Sequence, residues 1–292
     1  MLPTIETPLI RLSNLCPGRQ VHAKCEFLQR SGCFKLRGAK HLLERLEREG
    51  RKPPLVVPSM GNTAIGAAVA AREYGFRMLG VVPQSISAAK DRKLRELGVE
   101  LVKIDGGGKE LLETATRLAA EQDAYFVHPH LDPMWTDGYQ EIVEQVLQAI
   151  PGLKSLVFPL GGGGLLMGIT DYLSQHAAGL ALYACEPYNY PTYARHDHAR
   201  SKTIADGLML DQPHAKVQER IAELNIPVHL VSEAEIRTAM KDLYQQQGLL
   251  VEPSSAITTA LVASGIASLE EPICVVLTGA NIADDDFYRL IS

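Results

Sequence analysis

Short apolar runs alternate with amphipathic helical stretches along nearly the whole 292-residue chain, and that rhythm restricts the fold more than any single motif does. Strand-like runs lie at Val21–Cys25, Leu55–Val57, Leu79–Val82, Glu100–Ile104, Leu156–Leu160, Leu180–Cys185, Val228–Val231 and Ile273–Leu277. Between them the pattern predicts helices at Leu36–Arg48, Ala64–Tyr74, Ala88–Leu97, Lys109–Gln122, Glu141–Leu147, Glu233–Gln247 and Ser255–Ser264. Strands that alternate with helices pair in parallel through right-handed crossovers, so the chain reads as α/β. Gly75 and Gly98 stand where two of these helices must stop before the next strand. The length allows two compact lobes, each with its own core.

Two separate stretches carry chemistry. Gly161, Gly162, Gly163 and Gly164 follow the apolar run 155–160 and open the helix-like stretch that starts at Leu165. A strand, a glycine loop and a helix N-terminus together make an anion site, because glycines let backbone amides approach closely and the first helical amides are unpaired and partly positive. Far upstream, Lys35 sits within Ser31–Gly38. A phosphate cradle plus a lysine elsewhere points to pyridoxal 5′-phosphate (PLP), held by its phosphate and covalently through the lysine; neither motif alone carries that reading. A second run, Gly106, Gly107 and Gly108, also lies between a strand and a helix. Neither run is a Walker loop, and a G-x-G-x-x-G pattern fails because Leu166 and Met167 occupy the third-glycine positions.

Charge and cysteine usage exclude other classes. A net charge of −5, from 29 basic and 34 acidic residues, argues against nucleic acid or an anionic membrane as partner. No apolar run reaches membrane-spanning length, and the first twenty residues lack a signal pattern. Cys16, Cys25, Cys33, Cys185 and Cys274 show no paired metal-ligand spacing and read as reduced thiols of a cytoplasmic protein. Tyr188–Lys202, broken by Pro191, reads as a long irregular loop, and the end of the chain soon after Asn281 reads as leaving no appended regulatory domain.

With these pieces placed, the chain resembles the threonine/serine dehydratase branch of the fold type II (tryptophan synthase β-like) PLP enzymes. The blocks that carry the resemblance are Thr7-Pro8-Leu9, Lys24 with Glu26, Gly32–Ala39, Gly61-Asn62-Thr63, Gly161–Gly164, Glu186-Pro187, Ala205-Asp206-Gly207, Glu252–Ala256 and Leu277–Asn281. Their order and spacing are far more specific than any one block. The resemblance implies two lobes, each a mostly parallel sheet flanked by helices: a large PLP-binding domain of residues 1–50 and 131–292, and a small mobile domain of residues 51–130. It implies a homodimer with a small amino-acid substrate.

The resemblance also implies roles. Lys35, beside Phe34, corresponds to the lysine that bonds the cofactor and later moves the α-proton; only its free amine does either. Gly161 to Gly164 and Leu165 hold the phosphate, Asn62 meets the 3′-oxygen, and Thr278 meets the pyridine nitrogen. Ser59, Met60, Gly61 and Thr63 form the substrate loop, whose backbone donors and hydroxyls suit a carboxylate at a helix start; a polar loop with an N-cap is the alternative. Glu252 either orders the loop beside the cofactor or is a helix-entry charge before Pro253. The family places no phosphate at Gly106–Gly108, which is therefore read as a turn.

Several positions depart from the pattern. Met60 replaces the serine that serves racemases of this fold as opposite-face acid/base, and it carries no proton. Gly61-Asn62-Thr63-Ala64 looks more like cysteine synthase or threonine synthase. The stretch Asp137–Ile142 lacks the dehydratases' Gly-Gln-Gly-Thr pattern and gains bulk through Tyr139, a residue that lines the substrate pocket by analogy. Some relatives bind a divalent cation through the glutamate of Glu-Pro and an aspartate six residues on; here Glu186 is followed by Thr192, so no metal is expected. His196 and His198 flank Asp197 but fall short of a full metal site and read as exposed loop residues. The expected reaction is β-elimination from L-threonine or L-serine by a PLP-dependent ammonia-lyase. The alternatives are β-replacement, as in cysteine synthase, and a non-catalytic ligand-binding homologue.

Overall fold

A computed structural model describes all residues except 1–4, 60, 87, 177 and 178. In chain order the strands are β1 (Leu9–Arg11), β2 (Val21–Lys24), β3 (Leu55–Pro58), β4 (Met78–Pro83), β5 (Glu100–Ile104), β6 (Tyr125–Phe126), β7 (Ser155–Pro159), β8 (Ala181–Pro187), β9 (Val228–Val231) and β10 (Ile273–Val276). The helices are α1 (Lys35–Arg48), α2 (Asn62–Tyr74), α3 (Ala88–Glu96), α4 (Gly108–Glu121), α5 (Pro133–Thr136), α6 (Gln140–Ala149), α7 (Gly164–Gln175), α8 (Ala215–Glu223), α9 (Glu233–Gln247), α10 (Pro253–Ser264) and α11 (Asp284–Ile291). The α/β reading holds. Each strand the sequence suggests is present, and the short β1, β6 and α5 escaped notice because two to four residues show no periodicity.

The chain forms two compact units, one of residues 29–139 with Ile5, the other of residues 6–28 and 140–292. The first unit carries a parallel sheet in the order β5-β4-β3-β6. Val56, Leu79 and Val81 of that sheet pack on Leu111, Ala115 and Ala119 of α4, an i, i+4, i+8 stripe facing the strands. The second unit carries a sheet in the order β1-β2-β10-β7-β8-β9, parallel except for β1 against β2. Its central strands β7 and β10 are buried at every position, as expected of a sheet covered on both faces.

The division differs from the boundaries expected at residues 50 and 131, because α1 and residues 131–139 belong with the first unit. The reason is close packing through glycine. A Cβ on Gly66 of α2 would stand 2.8 Å from Lys35 Cβ, and one on Gly38 of α1 would stand 2.6 Å from Trp135 Nε1. Helix α1 thus lies directly on α2 and α5. Gly75 caps α2 at φ 66°, and Gly98 turns at φ 83° after α3, as their positions in the sequence imply.

Candidate active site

In the first unit, Lys35 is the first residue of α1, and Phe34 precedes it at the N-cap. Its Nζ lies 4.7 Å from the Phe34 ring centroid and 5.8 Å from that of Tyr139. Among the described residues it has no hydrogen-bond or ion-pair partner. Burial among these rings lowers its pKa to about 8, against a small opposing pull from Cys33. Tyr139 has 0% exposure, packs against Phe34 with ring centroids 4.8 Å apart and planes tilted by 46°, and accepts a 2.5 Å hydrogen bond from Trp135 Nε1. Its hydroxyl is tied to the wall behind α1, so the ring face is what it presents to Lys35. The sequence marks Gly38 only as a flank of Lys35 and gives Gly66 and Trp135 no role. A glycine inside the alanine-rich α2 was the available signal, since such a residue marks close approach.

The substrate loop lies at the start of α2. Ser59 Oγ accepts from the amides of Gly61 at 3.0 Å and Ala64 at 3.1 Å, so this serine acts as the helix's cap and keeps only its own proton to donate. Asn62 opens α2, and its carbonyl accepts from Cys33 Sγ at 3.6 Å, which ties the loop to the turn that leads into Lys35. Thr63 is buried, and among the described residues its hydroxyl has no partner. Met60 lies outside the described residues.

In the second unit, Gly161, Gly162, Gly163 and Gly164 connect β7 to α7, with Gly163 in the left-handed region at φ 85°. A Cβ there would meet Val217 at 2.5 Å, so only glycine fits. Among the described residues the amides of Gly161 to Leu165 have no acceptor. Thr278 follows β10, nearly buried, with no partner for its hydroxyl among the described residues. Glu252 stands at the N-cap of α10, yet its carboxylate accepts from Asn281 N at 3.2 Å, while its amide donates to Gly279 O at 3.0 Å. Glu252 thus stands at the entry of α10 and also holds the stretch that follows Thr278.

Three further motifs resolve. The Glu110 carboxylate accepts from the Gly107 amide at 2.8 Å, so Gly106 and Gly107 form the bend that leads into α4, whose first residue is Gly108. His198 bonds Tyr188 O through Nε2 at 2.7 Å and stacks on that ring at 4.2 Å, while His196 Nδ1 lies 3.0 Å from His198 O. Glu186 has 1% exposure and receives the amides of Thr192, Tyr193 and Ala194 at 3.0–3.1 Å. Burial raises its pKa, and those same bonds oppose the rise. With one carboxylate that already accepts three amides, this donor set does not suit a divalent cation. We expect neither EDTA nor millimolar Mg²⁺ or Ca²⁺ to shift the unfolding temperature or turnover. A cation-dependent gain of several degrees would show that the loop yields its amides to a metal.

The chain belongs to the family described as pyridoxal-phosphate dependent enzymes, whose model matches residues 1–279. It is therefore a PLP-dependent enzyme, as its lysine and glycine loop suggest. Among its relatives, an L-threonine ammonia-lyase of Thermotoga maritima is 29% identical over 94% of this chain and 70% of its own length. A serine racemase of Homo sapiens is 30% identical over 94% of this chain and 86% of its own length. A threonine deaminase from Solanum lycopersicum superposes with a TM-score of 0.88 at 26% identity, covering 98% of this chain and 82% of that one. The residues present fit the cofactor: an unpartnered lysine amine of lowered pKa, a run of unspent amides behind a glycine that no other residue can replace, and an unpartnered threonine hydroxyl. No described helix is long and apolar enough to cross a membrane.

Proposed function

We propose that this chain is an ammonia-lyase that eliminates the β-hydroxyl of an amino acid such as L-serine or L-threonine, releasing a 2-oxo acid and ammonia. The observation that carries the proposal is the Lys35 amine, buried against aromatic rings with no acid beside it. With its pKa lowered to about 8, far more of it is free base near neutral pH than of an ordinary lysine. That fraction is what bonds the cofactor's aldehyde carbon and later accepts the substrate's α-proton.

PLP supplies the electron sink; the chain supplies binding and proton handling. The amides of Gly161 to Leu165 hold the phosphate. Asn62 reaches the 3′-oxygen. Thr278 would offer the pyridine nitrogen a neutral hydroxyl, which cannot keep it protonated as a carboxylate would, a setting that suits loss of a β-substituent. The Ser59–Thr63 loop orients the carboxylate, and the Tyr139 ring limits the side chain beside Lys35. Met60 supports elimination over racemisation, since no proton can come from that position to the opposite face.

Gly61-Asn62-Thr63-Ala64 favours a second reading, β-replacement, as in cysteine synthase. Incubation with L-serine, L-threonine and O-acetyl-L-serine, with and without sulfide, separates the two. The expected result is 2-oxo acid without sulfide, and no D-serine from L-serine. An amino-acid product formed only with sulfide would establish replacement, and a colourless protein that ignores added PLP would leave a binding homologue. We further propose a cytoplasmic homodimer, which light scattering would report as twice the chain mass.

A further inference from the structure

Helix α8 is thinly fastened by apolar contact, yet it carries the side chain that shapes the glycine loop. Among its described residues only Val217 is buried, and a Cβ on Gly163 would stand 2.5 Å from Val217 Cγ2 and 2.7 Å from its Cγ1. Burial of one valine offsets the ordering cost of only about two residues, far short of a whole helix. Polar bonds on either side of Val217 complete the attachment, all within the second unit. Upstream, the His214 amide at the N-cap donates to Tyr193 Oη at 3.2 Å. Downstream, one turn on and on the same face, Arg220 Nη1 donates to Thr170 Oγ1 at 2.5 Å and to Asp171 Oδ1 at 2.8 Å, both on α7. The Thr170 hydroxyl gives its own proton to Met167 O at 3.1 Å, which leaves its lone pairs to the guanidinium. An ion pair open to water contributes little alone. Thr170, however, is 2% exposed, so its bond to Arg220 is sheltered from competing water. Glu223, 3.9 Å from Arg220 Nε, belongs to α8 itself and adds nothing to the join.

We infer that Arg220 is a positioning residue for the cofactor phosphate: by pinning α8 to α7 it keeps Val217 against Gly163, and so keeps the amides of Gly161 to Leu165 aimed at one point. The inference rests on the assignment of the phosphate to that loop in the proposed function. Gly163 has no Cβ and sits in the left-handed region, so no side chain of its own resists rotation of the two peptides it joins. The Val217 methyls supply that resistance from outside. Loosening α8 withdraws them, and the amides then lose their common direction without losing any donor.

The test uses the full chain, freed of cofactor and titrated with PLP or with pyridoxal, which offers Lys35 the same aldehyde but has no phosphate. Wild type should prefer PLP by more than about a hundredfold, as several charge-assisted bonds to a phosphate imply. Arg220→Met keeps an unbranched apolar stem and loses the guanidinium. It should cut the preference about 3–30-fold, the effect one residue exerts on a site through an intermediary, and leave pyridoxal within about twofold. Arg220→Lys still offers α7 a donor and should retain most of the preference. Asp171→Asn, which weakens the same join from the α7 side, should act in the direction of Arg220→Met. Because the path runs through Val217, the losses from Arg220→Met and Val217→Ala should not multiply, and the double variant should match the more affected single variant within about twofold. A merely structural arginine would weaken both ligands alike. That outcome, an unchanged preference in Arg220→Met, or losses that multiply with Val217→Ala would each overturn the inference alone, provided that Gly163→Ala abolishes the preference. If wild type shows no preference, or Gly163→Ala keeps it, the phosphate lies elsewhere, and the reading of the loop fails together with the inference.

Discussion

Lys35→Ala will carry no covalently held cofactor and will lose at least about 10⁴-fold in turnover, the upper end of what removal of a positioned proton-transfer group costs. The loss exceeds that of any neighbouring change because one nitrogen performs two tasks: it bonds the cofactor and it moves the α-proton. The fold should survive. Lys35 makes no hydrogen bond or ion pair among the described residues, so its removal leaves no buried partner unsatisfied. Borohydride reduction followed by peptide mapping reads the first task directly. In wild type the tag should appear on Lys35 and nowhere else; a tag on another lysine, or an active Lys35→Ala variant, would end the assignment.

Gly163→Ala should destabilise the protein by roughly 2–5 kcal/mol and abolish tight binding of PLP. Two costs add. The left-handed backbone at φ 85° costs about 1–2 kcal/mol for a residue with a Cβ. The new methyl would also meet the Val217 side chain at 2.5 Å, and overpacking of that kind costs about 1–3 kcal/mol. The two are separable. Gly163→Ala combined with Val217→Ala should recover the packing part while the backbone part stays, so the double variant unfolds at a denaturant concentration between those of the single variant and wild type. PLP titration should follow the same order, because a shifted loop no longer aims the amides of Gly161 to Leu165 together. Wild-type stability and cofactor affinity in Gly163→Ala would show that α8 does not hold the loop.

Much of this was legible without coordinates, for a physical reason. Parallel α/β architecture depends on local period, and a glycine run between a strand and a helix presents its amides whatever surrounds it. The four glycines are named from that local pattern, whereas the roles of Lys35, Asn62 and Thr278 are implied by the resemblance of the ordered blocks to the family. Ser59 and Glu252 were named with their roles open, because a capping residue and a ligand-binding residue look alike in one dimension. Tertiary structure shows what each side chain touches: Ser59 accepts from the Ala64 amide in the first turn of α2, and Glu252 accepts from the Asn281 amide beyond Thr278.

The sequence alone determined the fold class, the cofactor chemistry and the order of the site blocks along the chain, since these follow from local periodicity and residue type. Only tertiary structure decided which elements share a unit, how the Lys35 amine is desolvated, and why Gly66, Gly163 and Gly38 admit no side chain. Those depend on contacts between residues far apart in the chain, such as Lys35 with Tyr139 and Gly163 with Val217. Periodicity records which face a residue takes. It holds no record of what that face will meet.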